Sequence, residues 1–326
     1  MILVTGGAGL IGKELIRQLL ARGRTVTAIY HKTLISGFDD PKLQLIQCDI
    51  LDVIALEELM QDVDELYHCA GYISYAPGDT EKLYKINVEG TANIVNAALN
   101  AGIKKMVHVS SIAALGKPAD SKNRIDENTP WIELSTKNNY GNSKYLGELE
   151  VWRGIAEGLT AVIINPSLIL GAGNWNEGST AIFKSVYNQL PWYTEGITGF
   201  VDVRDVAGSM IQLMESSIIS ERFIISAENE SFRNLFNMIA NAFNKKLPSR
   251  KVTPLLASIV WRLEAIKSKI TSAKPVITKQ TAAAAMAIQY FDNSKLKKYL
   301  PSFSYYPLSQ TINDTCAALQ QKLNNH

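Results

Sequence analysis

Cysteine is scarce in this chain. Cys48, Cys69 and Cys316 are the three among 326 residues. No two of them form a Cys-x-x-Cys pair and the number is odd. Neither a disulfide framework nor a thiolate zinc site is therefore expected, and a reducing cytoplasm is the expected compartment. Histidine is scarce too: the four show no metal-ligand spacing, so no metal site is expected. Net charge is close to absent, with 33 Lys+Arg against 31 Asp+Glu, or +2 with histidines neutral. That balance excludes an electrostatic nucleic-acid binder. Together with 46% hydrophobic residues it excludes a disordered chain. Long apolar runs are missing as well. The longest worth weighing, Leu255 to Trp261, falls far short of the roughly 20 residues needed to span a bilayer. Its flanks, Arg250-Lys251 and Arg262, permit a peripheral membrane contact, but a packed amphipathic helix is the expected state. The start, Met1 to Thr5, has no basic region ahead of its apolar residues and reads directly into glycines, so no signal peptide is expected.

What is there alternates. Ile2 to Thr5 reads as a buried strand, and Thr25 to Tyr30, Leu43 to Cys48, Glu65 to Cys69, Met106 to Val109 and Ala161 to Ile164 read as further strands. Leu10 to Arg22, Val53 to Met60, Thr80 to Ala101 and Tyr140 to Glu157 read as helices between them. Strands and helices at this spacing make βαβ units, and right-handed crossovers make them a doubly wound, Rossmann-type parallel sheet in an α/β fold. The second half is irregular over 171–199, returns to strand and helix over 200–226, and is mostly helical after that. The alanines 282–285 fit a helix. The expected division is a nucleotide-binding domain over 1–166 with 200–226 returning to it. A smaller substrate-binding lobe is expected from 167–199 and 227–326.

Thr5-Gly6-Gly7-Ala8-Gly9-Leu10-Ile11-Gly12 closes the first strand and opens the first helix. Gly7, Gly9 and Gly12 fit G-x-G-x-x-G. The first glycine permits the tight turn, the second lets the backbone approach a pyrophosphate, and the third allows close helix–strand packing. A carboxylate about 20 residues further on would bind the ribose hydroxyls of NAD. Tyr30-His31-Lys32 stands there instead. Lys32, with His31, suits a 2′-phosphate and favours NADP(H). A solvated loop is the competing reading, and it leaves NAD(H) open.

Tyr140 and Lys144 lie four residues apart, on one face of a helix that follows the fifth strand. Ser110-Ser111 ends that strand, where open α/β sheets bind ligands. In this order the motifs resemble the short-chain dehydrogenase/reductase superfamily in its extended, epimerase-like branch. Within it the chain is most similar to dihydroflavonol-reductase-like and 3β-hydroxysteroid-dehydrogenase-like members. Further matches are Asp49-Ile50, His68-Cys69-Ala70-Gly71, Asn87-Val88-Glu89-Gly90-Thr91, Asn165-Pro166 and Phe200 to Ala207. The resemblance implies Tyr140 as general acid/base, its phenol brought down from a pKa near 10 by Lys144 and the oxidised cofactor. It implies that Lys144 holds the nicotinamide ribose and that Asn87 orders the active-site helix. Ser111, chosen over Ser110 because Gly116 follows it by five residues, would orient the substrate oxygen. Gly6, Gly9, Leu10, Ile11, Gly12, Asp49, Ile50, Cys69, Ala70, Gly71, Ser110, Asn165, Pro166 and Ser167 would line the cofactor. Asp49 equally suits a turn, and His68 and His108 suit the core better than a ligand. The resemblance also makes a homodimer through the helices near 80–101 and 140–157 plausible.

Lys184 is the one basic residue between Ser167 and Asp202, a stretch that also holds Trp175, Phe183, Tyr187, Trp192, Tyr193 and Phe200. A sugar-nucleotide diphosphate calls for arginines, yet Thr198-Gly199 precedes Phe200 where such relatives carry one. The expected substrate is a less charged, partly hydrophobic carbonyl or alcohol, with the aromatics as a core of the lobe as the plainer alternative. Two rival readings are an epimerase or dehydratase that retains its NAD and a non-catalytic nucleotide sensor. Retention of Tyr140 and Lys144 weighs against the sensor.

Overall fold

The computed structural model describes residues 1–116, 124–131, 138–271 and 278–324. Seven parallel strands form its main sheet. In chain order they are β1 (Ile2–Thr5), β2 (Val26–Tyr30), β3 (Leu43–Gln47), β4 (Glu65–His68), β5 (Lys105–Val109), β7 (Ala161–Pro166) and β11 (Glu221–Ile225), with β6 (Arg124–Ile125), β8 (Leu168–Leu170), β9 (Trp192–Tyr193) and β10 (Ile197–Asp202) lying outside this sheet. Their spatial order is β11-β7-β5-β4-β1-β2-β3. The inner strands are valine- and isoleucine-rich and buried on both faces, as a parallel sheet covered by helices demands. The expected doubly wound sheet is what the chain forms. Strand order reverses between β1 and β4, so a crevice opens at the carboxyl ends of these neighbours.

Helices α1 (Leu10–Ala21) and α2 (Val53–Met60) cover opposite faces: Leu15, Ile16 and Leu19 enter one core cluster, Leu56 and Met60 the other. The stretch expected as one helix over 80–101 is continuous but uneven. Helix α3 (Thr80–Tyr84) passes through a π-turn at Lys85–Glu89 into α4 (Gly90–Ala101), which Gly102 ends at φ +63. A π-turn inserts one residue into the helical repeat and re-aims the side chains within it. Asn87 is one of these. Helix α5 (Asn139–Ala156) packs beside it, where an added Cβ on Gly147 would lie 2.1 Å from the Asn87 carbonyl oxygen.

Within the returning stretch 200–226, helix α7 (Val203–Glu215) packs on α1 and β11 joins the main sheet, α6 (Thr180–Tyr187) preceding them in the chain. Strand β10 does not join it. It pairs with β8 and with β12 (Glu228–Ser231) in a separate three-stranded sheet. Around that sheet pack α6, α8 (Phe232–Ala242) and α12 (Leu308–Asn324), burying Phe183, Phe200, Leu235 and Ile312. Trp175, Tyr187 and Phe243 meet edge to face in the same cluster. Most aromatics expected to favour a hydrophobic substrate thus build the lobe's own core.

Strand β13 (Arg250–Lys251) pairs with β9, and β14 (Tyr290–Phe291) with β6. Helix α9 (Pro254–Thr271) follows β13; α10 (Lys279–Ala284) ends within the alanine run, and α11 (Ser294–Tyr299) precedes α12. Leu255 to Trp261 packs as the expected helix on one face, where Leu256, Val260 and Trp261 are half-buried, but its outer face is not polar. Ala257 is buried, but Leu255, Ile259 and Leu263 face solvent. No helix among the described residues is long and apolar enough to cross a membrane.

Candidate active site

The glycine loop lies at the crevice. Gly6 has φ +68, and a Cβ there would lie 2.6 Å from the Ala70 nitrogen. A Cβ on Gly12 would meet the Gly6 carbonyl oxygen at 2.3 Å. The tight turn expected at Gly7 is therefore made by Gly6, while Gly7 sits against Ile35 and Ile16. Gly9 caps α1 without a side-chain acceptor, so the first N–H groups of the helix, at Leu10 and Ile11, point at the crevice. The loop is backbone without side chains, opposite a helix N-terminus, and this suits a pyrophosphate.

After β4, the Thr5 hydroxyl accepts from the Ala70 N–H at 3.1 Å and meets His68 Nδ1 at 2.7 Å. His68 and His108 are both buried core residues, and burial holds His68 down at about 3, hence neutral. Burial pushes the Cys69 thiol up to about 12, which leaves it inert. Gly71 faces the catalytic candidates: a Cβ there would lie 3.4 Å from Asn87 Oδ1 and 3.8 Å from Lys144 Nζ.

Helix α5 starts where Asn138 Oδ1 accepts from the Gly141 N–H at 3.1 Å, and this cap fixes the entry of Tyr140. Tyr140 and Lys144 are both buried. The Ser111 side chain lies beside the Tyr140 phenol and favours its ionised form, and the Tyr75 ring meets Tyr140 edge-on at 5.4 Å. Lys144 donates to the Val109 carbonyl oxygen at 2.9 Å. Burial lowers Lys144 to about 8, partly offset by Glu148 and Cys69. Tyr140 departs from expectation. Burial and the neighbouring Tyr75 hold its phenol above the ordinary value, and Ser111 offsets this only in part. The lysine charge is directed at Val109 rather than at the phenol.

The paired serines diverge. Ser111 caps a short 3-10 turn through the Ala113 N–H and faces Tyr140. Ser110, expected against the cofactor, turns its hydroxyl to Glu148 Oε2 at 2.7 Å instead. Gly116 holds this corner, since a Cβ there would overlap the Pro130 carbonyl oxygen. Asn165 Nδ2 donates to the Ser111 carbonyl oxygen at 3.0 Å and to Glu148 Oε2 at 2.8 Å. Glu148 takes further donors from Trp152 and Arg222. It is a buried anchor that sequence reasoning missed. The available signal was its place one helical turn beyond Lys144.

Asn87 and Ser143 join the helices: Asn87 Nδ2 donates to Ser143 Oγ at 2.9 Å. At the far end, Lys32 is exposed and His31 Nε2 lies 3.4 Å from Asp49 Oδ2. Asp49 also accepts from the Leu51 N–H at 3.1 Å, the turn role weighed for it. Ile50 packs under Gly90. Pro166 ends β7, and the hydroxyl of Ser167 beyond it is buried.

With this geometry in view, the likenesses to known proteins are informative. The family described as NAD dependent epimerase/dehydratase matches residues 2–225. Sterol demethylase protein B of Methylococcus capsulatus is 28% identical over 78% of this chain and 78% of its own length. Cinnamoyl-CoA reductase 1 of Petunia hybrida is 28% identical over 99% of this chain and 92% of its own. The crystal structure of gox2253 superposes with a TM-score of 0.81 at 30% identity, covering 99% of this chain and 98% of that one. The chain belongs to the NAD-dependent epimerase/dehydratase family, in the extended branch of the short-chain dehydrogenases/reductases, and is an NAD(P)-dependent oxidoreductase of that branch.

Proposed function

We propose that the chain interconverts a carbonyl compound and its alcohol, with Tyr140 as general acid/base. One observation carries the reading: the Ser111 side chain lies beside the buried Tyr140 phenol and eases its ionisation, one helical turn from buried Lys144. When bound, the nicotinamide supplies or accepts the hydride. Ser111 holds the substrate oxygen beside the phenol. In the reducing direction that oxygen gains negative charge, and the Tyr140 proton passes to it. Burial keeps the phenol protonated until then. Lys144, fixed by the Val109 carbonyl one helical turn from the phenol, is placed to hold the ribose. Asn87 positions α5 through Ser143. In the oxidising direction each proton step reverses.

Exposed Lys32 favours NADP(H) as the cofactor. The substrate lobe is 167–202 with 227–326, three residues more than the division expected from the sequence, and its chemistry favours a weakly charged substrate. Lys184 is occupied by Asn176 Oδ1 at 2.6 Å. Position 199 has no room for an arginine, since even a Cβ on Gly199 would lie 2.3 Å from Ser226 Oγ. The test is Tyr140→Phe with NADPH and a panel of aldehydes and ketones. Turnover should fall by about 10²–10⁴-fold while cofactor affinity stays within a few-fold. A variant that keeps the wild-type rate overturns the reading. Tightly retained NAD with substrate inversion and no net cofactor turnover would establish the epimerase instead.

A further inference from the structure

The near-zero net charge hides a segregated one. Residues 245–280 hold nine Lys+Arg and a single acid, Glu264, while the other 290 residues hold 24 basic and 30 acidic. This basic stretch contains α9, whose Leu255, Ile259 and Leu263 are 73%, 47% and 60% exposed. Their spacing of four puts them in one row along the helix. Single exposed leucines are ordinary on a protein surface. Three in a row within a strongly basic segment are not, and nothing else in the described structure covers them.

The surroundings fit one kind of occupant. Trp261 lies on the same helix, with the Arg262 guanidinium 4.8 Å and the Lys279 ammonium 5.9 Å from its ring. Arg250 and Lys251 are exposed just ahead of the helix, and Lys251 reaches its nearest carboxylate, on Glu195, only at 3.9 Å. An apolar row, a flanking indole and basic side chains long enough to reach lipid headgroups are the parts of a helix lying in a membrane interface. A second copy is a poorer occupant, since joining the two rows would bring two strongly basic segments together.

We propose that α9 and its basic flanks form a peripheral docking surface for an anionic lipid bilayer. The helix would lie in the headgroup region with Leu255, Ile259 and Leu263 inserted and the cations on lipid phosphates. The proposal is independent of the catalytic reading: it concerns a solvent-facing row that the site does not use.

The experiment is flotation of the full chain with vesicles of phosphatidylcholine alone and vesicles containing about 30% phosphatidylglycerol. The protein should float with the anionic vesicles and be released by salt. The triple variant Leu255→Ser, Ile259→Ser, Leu263→Ser should bind them at least about tenfold more weakly. So should Arg250→Glu, Lys251→Glu, Arg262→Glu. Thermal melts and a cofactor fluorescence titration monitor folding of both variants. If the serine variant does not fold, the charge-reversal variant and the salt dependence of the wild type still decide the question. Absence of flotation, equal binding to neutral vesicles, or unchanged binding by the variants overturns the proposal. So does a wild-type dimer that the serine variant disperses, which would assign the face to a second copy.

Discussion

The side-chain amide of Asn87 bonds both main-chain polar groups of Tyr72: Oδ1 accepts from the Tyr72 N–H at 2.7 Å, and Nδ2 donates to its carbonyl oxygen at 2.9 Å. The amide reaches because the π-turn at 85–89 aims it at the loop after β4. The same nitrogen holds Ser143 on α5. Asn87→Leu would strip partners from all three groups, at about 1–3 kcal/mol for each buried group left unpaired. The expected outcome is a large drop in chemical stability together with a loss of turnover. A variant with wild-type denaturation and reduced activity alone would show that the clamp contributes nothing to the fold.

Lys144 gives the structure a pH dependence whose sign follows from its burial. Its folded value is about 8 against 10.5 for a lysine free in water. Between those values the unfolded chain binds the extra proton, so stability rises with pH across that window. Below about pH 8 the buried charge costs up to about 3 kcal/mol, less the hydrogen bond to Val109. Lys144→Met should therefore stabilise the cofactor-free protein at pH 7 and lose that advantage near pH 10. Denaturation curves of both proteins at the two pH values check this, and a gap independent of pH contradicts it.

Cofactor choice rests on Lys32. Lys32→Ala should weaken NADPH by about tenfold or more, the usual range for a charge-assisted bond to phosphate, and leave NADH almost unchanged. Fluorescence titration with each reduced cofactor is sufficient. A wild type that prefers NADH removes the role given to this lysine.

Two glycines in helices should respond in opposite directions to alanine. A Cβ on Gly147 would lie 2.1 Å from the Asn87 carbonyl oxygen, a backbone atom that cannot move alone. Gly147→Ala should cost about 1–3 kcal/mol or more and disturb the clamp. In α7, a Cβ on Gly208 would meet only Gln18 Oε1 at 3.7 Å and a Phe303 ring carbon at 4.0 Å. Gly208→Ala should gain up to about 1 kcal/mol from helix propensity. Parallel thermal melts compare the two.

The sheet was readable from the sequence because its strands are short apolar runs separated by helical stripes. The loop from Gly6 to Gly12 and the Tyr140–Lys144 pair were readable because each depends on local spacing. Other features have no local signal. Ser110 and Ser111 look alike in sequence, and they part only because a carboxylate from α5 takes one of them. Glu148 looks like any glutamate of a surface helix until Arg222, Asn165 and Trp152 converge on it. The lobe's aromatics depend on packing between distant segments, so composition favoured a ligand where the fold builds a core. On α9 composition alone favoured packing, whereas tertiary structure leaves the row outward.

Arg222 also bears on the order in which the chain folds. It reaches Glu148 at 3.0 Å and the Glu127 carbonyl oxygen at 2.8 Å from the last strand of the main sheet, and the neighbouring Ile224 N–H takes the Glu127 carboxylate at 2.9 Å. During synthesis these acids emerge some seventy to a hundred residues before their partners. Until β11 is made, the nascent sheet has an open edge at β7 and two carboxylates beside an apolar core without their arginine and amide. The cofactor half therefore lacks its edge strand until residues beyond the lobe insertion have been made, and a chain truncated near position 200 is expected to fall short of a stable half-domain.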